Sequence, residues 1–301
     1  MMITKLDDMF EKLKSLPSKR LVAAYANDTH TIGAINKAVE MGLVEATLVG
    51  DKKTIEETCE KENIDSSKFR IVHESDEMKA AHKAVELINK GEGAILMKGL
   101  VSTDKYMRAI LDKENGLLPP KAILSHVTVM ENPNYHKLLV FGDVAIIPQP
   151  ELKEKIAITN YVIAASKALG VEKPKIAILA ATEQVSPKMQ ACVDAAIIAK
   201  MADRGQIKGA FIDGPLALDV AIDKESAEIK KLGGAVAGDA DGLVFPNIES
   251  GNVFYKTNTK LAKSELGAML VGAKVPAVLS SRGDSIKTKL YSIALAALSA
   301  R

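Results

Sequence analysis

The sequence predicts an α/β protein of two domains, and three observations carry that prediction. Short apolar runs alternate with amphipathic stretches along most of the 301 residues, an order typical of a largely parallel sheet covered by helices. Two strand-like runs near the middle interrupt this order. A hydrophobic content of 47% supplies a sizeable core. We predict a first domain of residues 1–120 plus 275–301 and a second domain of residues 121–274.

The first part of the chain contains four predicted strands, each followed by a helix. In the helix predicted over Thr31–Met41, Ile32, Ile35 and Val39 share one face at helical spacing. The strands are predicted at Leu21–Ala26, Ala46–Val49, Arg70–His73 and Ala94–Met97, and the other helices at Lys52–Glu62, Glu77–Asn89 and Thr103–Asp112.

The middle of the chain predicts an antiparallel hairpin. An Asn- and Pro-rich segment joins the strand-like runs Ile123–Met130 and Lys137–Val144. The alternation of strands and helices then resumes. The elements predicted there are the helix Glu151–Leu169, strand Lys175–Ala180, helix Lys188–Asp203, strand Gly209–Asp213, helices around Leu216–Leu232 and strand Gly242–Phe245.

The last predicted strand, Val275–Leu279, runs into the polar turn Ser280–Ser285 and then a helix over Ile286–Ala300. In open α/β sheets, ligands bind at the carboxyl ends of the strands. The free N–H groups at a helix start favour an anion there, and Arg282 adds a forked, permanent charge. The turn therefore predicts a site for a phosphate or a carboxylate.

Three further polar turns follow predicted strands, and each also has an ordinary structural explanation. A lysine and two hydroxyls could hold an anion in the first turn, where either hydroxyl residue also suits a helix cap. The Asn, Asp and Gly residues of the other two turns are common turn formers. Together the turns suggest one shared polar cleft. Its candidate binding residues are Lys98, Ser102, Thr103, Asp213, Asn247 and Asn252.

Charge and composition argue against several classes of protein. The 40 basic and 38 acidic residues give no reason to expect a nucleic-acid partner, and without tryptophan a base-stacking platform is not expected. No apolar stretch reaches membrane-spanning length, and the first residues lack the apolar core of a signal peptide. Two cysteines are too few for a disulfide framework. We therefore expect a reduced, cytoplasmic protein.

Titratable residues outside the turns carry weaker signals. The histidines lack metal-ligand spacing, and His126, within a strand, is expected to be packed. Cys192 lies on an apolar helix and is expected to be a core residue rather than a nucleophile. Asp239 and Asp241 leave a metal role open, but no third carboxylate accompanies them in the sequence. We therefore predict no metal site.

Several ordered blocks of sequence occur along nearly the whole chain from about residue 15. They are Met97–Thr103, Leu124–Val127, Val185–Met189, Ala199–Ile207, Asp213–Asp219, Ala237–Asp241, Pro246–Asn252 and Ser281–Gly283. Taken together, these blocks resemble the phosphate acetyl/butyryltransferase family, and more closely its phosphate butyryltransferase branch.

The resemblance implies reversible reaction of an acyl-CoA with inorganic phosphate, with CoA as a substrate and no cofactor. It also implies an isocitrate/isopropylmalate dehydrogenase-like fold, with two α/β domains around a cleft, and a homodimer or higher homo-oligomer. By resemblance, Ser281 and Arg282 match the catalytic motif that contacts phosphate and the CoA thiol region. Arg108 matches an arginine that helps bind the acyl phosphate or CoA. Because neither cysteine is expected to be activated, we expect direct transfer in a ternary complex.

One position departs from the family pattern. In phosphate acetyltransferases, an aspartate six residues beyond the arginine of the Ser-Arg-Gly motif is the proposed base for the CoA thiol, and here Thr288 occupies that position. Asp284 is one candidate for the base, although it equally suits a helix cap. The departure keeps a non-catalytic CoA- or acyl-phosphate-binding protein open as an alternative. An acetyl-preferring enzyme and an NAD-dependent hydroxyacid dehydrogenase on the same fold are the enzymatic alternatives.

Overall fold

The computed structural model describes residues 2–279 and 284–300. The chain forms two compact units. The central unit consists of Met1–Lys5 and Ser125–Glu265, and the flanking unit consists of Leu6–Leu124 and Leu266–Arg301.

Both units are built from alternating strands and helices, so the predicted α/β class is confirmed. The strands are β1 Lys19–Ala24, β2 Val44–Gly50, β3 Arg70–His73, β4 Ile95–Lys98, β5 Ser125–Glu131, β6 Leu139–Gly142, β7 Lys175–Leu179, β8 Phe211–Leu216, β9 Gly242–Val244, β10 Glu265–Val271 and β11 Ala277–Val278. The helices are α1 Asp8–Lys14, α2 Thr29–Glu40, α3 Lys52–Lys61, α4 Glu77–Asn89, α5 Thr103–Leu111, α6 Leu152–Ala168, α7 Gln190–Asp203, α8 Leu218–Ile222, α9 Lys224–Ile229, α10 Ile248–Lys260 and α11 Ile286–Ser299.

The strands of the flanking unit lie in the order β3-β2-β1-β4-β11-β10. Each neighbouring pair is parallel except β10 and β11, which are antiparallel. Burial explains the composition of the inner strands, since Leu21 to Ala24 of β1 are fully buried. Because β4 and β11 are parallel neighbours, the chain leaves both strands at the same edge of the sheet.

The strands of the central unit lie in the order β5-β6-β9-β7-β8. The hairpin predicted from the sequence is confirmed, because β5 and β6 pair antiparallel with Val129 opposite Val140. The other pairs are parallel. As a result, the start of β5 and the ends of β6 and β9 lie at one edge of this sheet.

Aspartate and serine caps explain where several helices begin. The Asp28 carboxylate accepts a hydrogen bond from the Thr31 N–H at 2.9 Å at the start of α2, and the Asp51 carboxylate accepts one from the Thr54 N–H at 2.8 Å at the start of α3. Such side-chain acceptors satisfy N–H groups that have no partner within the helix.

Three elements, α1, β10 and α10, were not predicted, and a tightly packed glycine lies in each of the last two. No strand was predicted at β10, whose Gly267 approaches α11 so closely that a Cβ atom would lie 2.7 Å from the Tyr291 backbone. Pro246–Asn252 was predicted to be a turn, whereas α10 begins at Ile248. A Cβ atom on Gly251 would lie 2.6 Å from the Asp143 carbonyl oxygen. Glycine weakens the local helix or strand signal, but the packing requires it at both positions.

Both cysteines, Cys59 and Cys192, are free thiols in the core, at 1% and 0% exposure. Burial raises the pKa of the Cys59 thiol. Among the described helices, none has the length and apolar content needed to cross a membrane.

Candidate functional site

Asp143 is the centre of a buried polar cluster at one edge of the central unit. Its Oδ2 accepts hydrogen bonds from the Ser125 hydroxyl at 2.7 Å and the His126 N–H at 3.2 Å. Its Oδ1 accepts from the N–H groups of Ala145 at 2.8 Å and Ile146 at 2.9 Å. The carboxylate is only 2% exposed, and four donors compensate for its removal from water. The cluster therefore fixes the start of β5 against the loop after β6.

His126 lies in this cluster as a packed residue, as the sequence indicated. It is 6% exposed, and its Nδ1 lies 3.5 Å from the Thr128 hydroxyl. Burial lowers the pKa of the His126 imidazole, and the nearby Asp143 charge opposes that shift. The ring is therefore favoured in its neutral form, with one nitrogen as a hydrogen-bond acceptor.

Asn247 and Asn252 reach the same edge of the central unit from the start of α10. The Asn247 side chain caps the helix, since its Oδ1 accepts from the Ser250 N–H at 3.0 Å and the Ser250 hydroxyl at 2.8 Å. Asn252 lies within the helix, not in a turn as predicted, and its Nδ2 donates to the Val144 carbonyl at 3.1 Å. The two asparagines are thus held close to the loop that Asp143 organises.

Asp213 lies apart from these residues, on β8 at the far side of the central sheet. The predicted strand ended at this residue, but β8 continues to Leu216, so Asp213 is within the strand. Its Oδ1 accepts from the Gly214 N–H at 2.8 Å. Asp213 also lines a cavity of about 330 Å³, together with Asp203 and Lys173.

The flanking unit presents a second polar group, where the chain leaves β4. Lys98 is the last residue of that strand and is 5% exposed. At Gly99 the backbone passes so close to the end of β1 that a Cβ atom would lie 2.5 Å from the Tyr25 carbonyl oxygen. The N–H of Gly99 donates to the Ala24 carbonyl at 2.9 Å. A side chain larger than hydrogen does not fit there without movement of the backbone.

Helix α5 begins directly after this turn, and an acidic residue of α4 holds its start. Of the two predicted cap candidates, Ser102 is the helix cap; its Oγ accepts from the Lys105 N–H at 3.4 Å. The Glu77 carboxylate accepts from the Ser102 N–H at 2.6 Å and from the Lys105 ammonium. These two bonds, the Lys105 bond first, lower the pKa of Glu77. Thr103 follows as the first helical residue and is exposed.

Arg108 is on the exposed face of α5. Its Nε lies 3.0 Å from an Asp104 carboxylate oxygen, and the two side chains are 68% and 67% exposed. Such an open ion pair is weakly held, so the guanidinium is available to a charged ligand. Tyr106, on the buried face, donates its hydroxyl to the Val278 carbonyl of β11 at 3.3 Å. This bond joins α5 to the strand that precedes the Ser281-Arg282 segment.

Ser281 and Arg282 lie outside the described residues. On one side of them β11 ends at Val278, and on the other α11 begins at Ile286. The proposed cap role of Asp284 is wrong, because Ser285 is the cap and its Oγ accepts from the Thr288 N–H at 3.1 Å. Ser285 occupies the cap position, from which its hydroxyl reaches an N–H of the first turn of α11. Asp284 lies one residue before that position.

Asp239 and Asp241 serve as ion-pair partners. Lys137 lies 2.8 Å from the Asp239 carboxylate and 2.7 Å from the Asp241 carboxylate. Burial opposes ionisation of Asp239, but hydrogen bonds from Lys137 and Lys175 outweigh it and lower the pKa of this carboxyl. Within residues 2–279 and 284–300, no three His, Cys, Asp or Glu side chains form a group suited to a metal ion.

Sequence reasoning missed the two carboxylates that organise these groups. Asp143 follows a strand and Glu77 begins a helix, both common positions for an acidic residue, so neither attracted notice. The available signal was the hairpin itself. An antiparallel pair brings the start of β5 beside the end of β6, which places Ser125 next to Asp143.

Comparisons with known proteins find relatives along nearly the whole chain. The family model for phosphate acetyl/butaryl transferase matches residues 76–297. A phosphate butyryltransferase of Clostridium acetobutylicum is 46% identical over 297 residues, which cover 99% of this chain and 98% of that protein.

Two solved structures share the fold. A branched-chain phosphotransacylase from Enterococcus faecalis superposes with a TM-score of 0.81 at 31% identity, covering 93% of this chain and 98% of that one. A 4-hydroxythreonine-4-phosphate dehydrogenase from Klebsiella pneumoniae has a TM-score of 0.56 at 10% identity, covering 93% of this chain and 98% of that one. At that identity the likeness shows the fold alone.

Proposed function

Because the chain belongs to the phosphate acetyl/butaryl transferase family, we propose that it is a phosphate butyryltransferase that converts butyryl-CoA and phosphate to butyryl phosphate and CoA. The observation that carries this proposal is the 46% identity to a phosphate butyryltransferase over nearly the full length of both chains. The enzyme is an acyltransferase with CoA as a substrate, and it is proposed to act without a cofactor.

The proposed reaction is a direct transfer within a ternary complex. A phosphate oxygen attacks the thioester carbonyl, the new C–O bond forms, the C–S bond breaks, and the CoA sulfur leaves and takes a proton. Alignment of the two substrates supplies much of the rate in such a step. Buried, free Cys192 supports the absence of an acyl-cysteine intermediate, since a nucleophilic thiol needs access and an activated environment.

The site residues are assigned roles as part of this proposal. Arg282 holds phosphate bidentately and Ser281 positions the thiol region, both as catalytic residues. The proposed substrate-binding residues are Lys98, Ser102, Thr103, Arg108, Asp213, Asn247 and Asn252. The proposed architecture has two α/β domains around a cleft in a dehydrogenase-like fold, in a homodimer or higher homo-oligomer within the cytoplasm. The fold shared with the dehydrogenase supports the architecture.

The first experiment compares acyl groups. Purified protein is assayed with phosphate and acetyl-, butyryl- or isobutyryl-CoA, and release of free thiol is followed. We expect the highest kcat/KM with butyryl-CoA. An acetyl preference would instead identify a phosphate acetyltransferase, the other activity in the family description. No turnover with any of the three would refute the proposal, and tight CoA binding without turnover would indicate a binding protein.

The second experiment tests the catalytic arginine. Arg282→Ala is expected to lower kcat by about two to three orders of magnitude, the usual loss when one charge-stabilising donor is removed. Arg20→Ala, which removes an exposed arginine paired with Glu45 on β1 and β2, is the matched control and should keep parental activity. Near-parental kcat in Arg282→Ala would remove this residue from the mechanism.

A further inference from the structure

A second cavity lies wholly within the central unit and has no role in the proposal so far. It has a volume of about 480 Å³ and lies between the starts of α6 and α7 and the segment that leads into α10. Its volume is within the range of small-molecule sites, although too small to enclose a whole coenzyme. Asn247, which caps α10, forms part of its wall, so the cavity adjoins the polar edge of the central sheet.

A buried ion pair lies in the wall of this cavity. The Lys155 Nζ donates to Asp194 Oδ2 at 2.6 Å, and the side chains are only 6% and 3% exposed. The Gln190 Nε2 donates to the other Asp194 oxygen at 2.8 Å. An ammonium carries three N–H groups. Among the described residues, Asp194 is the only hydrogen-bond acceptor for the Lys155 ammonium, so two of its donors are left for a ligand or water.

Amide side chains add both donors and acceptors to the same wall. Asn247 uses its Oδ1 to cap α10, which leaves its Nδ2 free of described partners. The Gln190 Oε1 and the whole amide of Gln149 likewise have no partner among the described residues. Between these groups the wall is aliphatic, with Pro150, Leu152 and Pro246. A ligand here meets amide hydrogen-bonding groups and aliphatic surface in about equal measure.

Charge and shape decide which part of CoA this wall suits. Asp194 neutralises Lys155, and Glu151 adds a further carboxylate, so the side chains provide no excess positive charge for a phosphate. The amino ends of the helices that begin here favour negative charge, and the Glu151 carboxylate, which caps α6, already supplies it. The wall contains no aromatic ring on which a nucleobase could stack. The phosphates and the adenine are therefore poor matches.

We propose that this cavity binds the pantetheine arm of CoA. The arm is uncharged, carries two amides, and has aliphatic segments between them. Its carbonyl groups accept from the Lys155 ammonium and the Asn247 Nδ2, and an amide N–H donates to the Gln190 Oε1. The assignment rests on the proposed acyl-CoA activity and adds a binding site for the part of the substrate between nucleotide and thioester.

The test uses a double variant that removes the donors while preserving the packing. Lys155→Met/Asp194→Leu replaces a buried ion pair by apolar side chains, a change that is often neutral for stability, whereas removal of one partner alone is not. The KM is measured for butyryl-CoA and for S-butyryl-pantetheine, which lacks the nucleotide. Inhibition by the adenosine bisphosphate half of CoA is measured in parallel.

We expect KM to rise about tenfold for both thioesters, with kcat within about twofold and inhibition by the adenosine bisphosphate unchanged. Lys153→Met, which alters an exposed lysine on the same helix, is the control and should match the parent enzyme. Gln190→Ala keeps the ion pair and should raise both KM values about threefold, which serves as the test if the double variant does not fold.

Two outcomes would overturn the assignment. Unchanged KM values in a folded variant exclude pantetheine from this cavity, and weaker inhibition by the adenosine bisphosphate assigns the cavity to the nucleotide instead. If the parent enzyme turns over no acyl-CoA, the proposed function fails, and calorimetry with pantetheine on parent and variant then tests the cavity by binding alone.

Discussion

The polar cluster of the central unit and the polar turn of the flanking unit are organised in opposite ways. Around Asp143, every acceptor of a buried carboxylate is occupied by a donor from its own unit. At α5, Arg108 and its partner Asp104 are about two-thirds exposed. The difference distinguishes polar groups that stabilise the fold from polar groups that can bind a ligand. A residue such as Asp143 holds the backbone in place, whereas a group whose donors are not all taken by its own unit, such as Arg108, can exchange water for a ligand.

The largest expected effect on stability comes from a substitution at the centre of the Asp143 cluster. Asp143→Ala removes a 2% exposed acceptor and leaves four donors without it, so the free energy of unfolding should fall by about 3 kcal/mol or more. Urea denaturation monitored by circular dichroism measures the change. Asp104→Ala, at the open ion pair, is the control and should unfold at nearly the parental urea concentration. Equal midpoints for the two variants would show that the buried Asp143 cluster stabilises the fold no more than the exposed Arg108–Asp104 ion pair.

The next largest effect is expected from a substitution in the backbone turn that follows β4. Gly99→Ala should lower the free energy of unfolding by about 1–3 kcal/mol, because its Cβ atom would lie 2.5 Å from the Tyr25 carbonyl oxygen. Gly33→Ala is a matched control. Gly33 is inside α2 with nothing within 4 Å of the added methyl, so this change should stabilise by about 1 kcal/mol. Thermal unfolding of both variants gives the comparison, and a stable Gly99→Ala would show that the turn can shift.

The smallest effect is a pH dependence at the start of α5. The bonded Glu77 has a pKa below its ordinary value, so its stabilisation is present at neutral pH and is lost as the pH falls through the folded pKa. The stability difference between parent and Glu77→Gln should therefore shrink from pH 7 to pH 3. Glu57→Gln, on exposed α3, should show no comparable trend. A difference that stays constant with pH would mean that charge at Glu77 does not hold α5.

Periodicity was sufficient to predict most of the strands and helices, and the Asn- and Pro-rich connection indicated the hairpin. The sequence left Ser102 and Thr103 open as the cap of α5, and the cap is Ser102. The prediction failed at β10 and α10, where a glycine packs against backbone that is distant in the sequence. Gly267 in β10 and Gly251 in α10 weaken the local pattern, yet they are required by contacts with α11 and with Asp143. Such contacts join residues far apart in sequence, so no window of neighbouring residues contains them.

The candidate site was likewise only partly predictable from the sequence. The turns after β4 and β9 could be identified because polar residues at strand ends stand out in a sequence. The residues that hold these turns, Glu77 and Asp143, could not, because their function depends on partners in other elements. The ion pair of Lys155 and Asp194 was missed for the same reason, since the two residues lie on different helices. The assignments of Ser281 and Arg282 rest on the resemblance and remain predictions.

The two buried cysteines have a practical consequence for the activity assays that follow release of free thiol. Release of CoA is followed with a disulfide reagent that reports any accessible thiol. Cys59 and Cys192 are 1% and 0% exposed, so the folded protein adds almost no colour of its own. Slow colour development without substrate would then report unfolding rather than turnover. The same cuvette thus monitors the integrity of a variant while it measures that variant's rate.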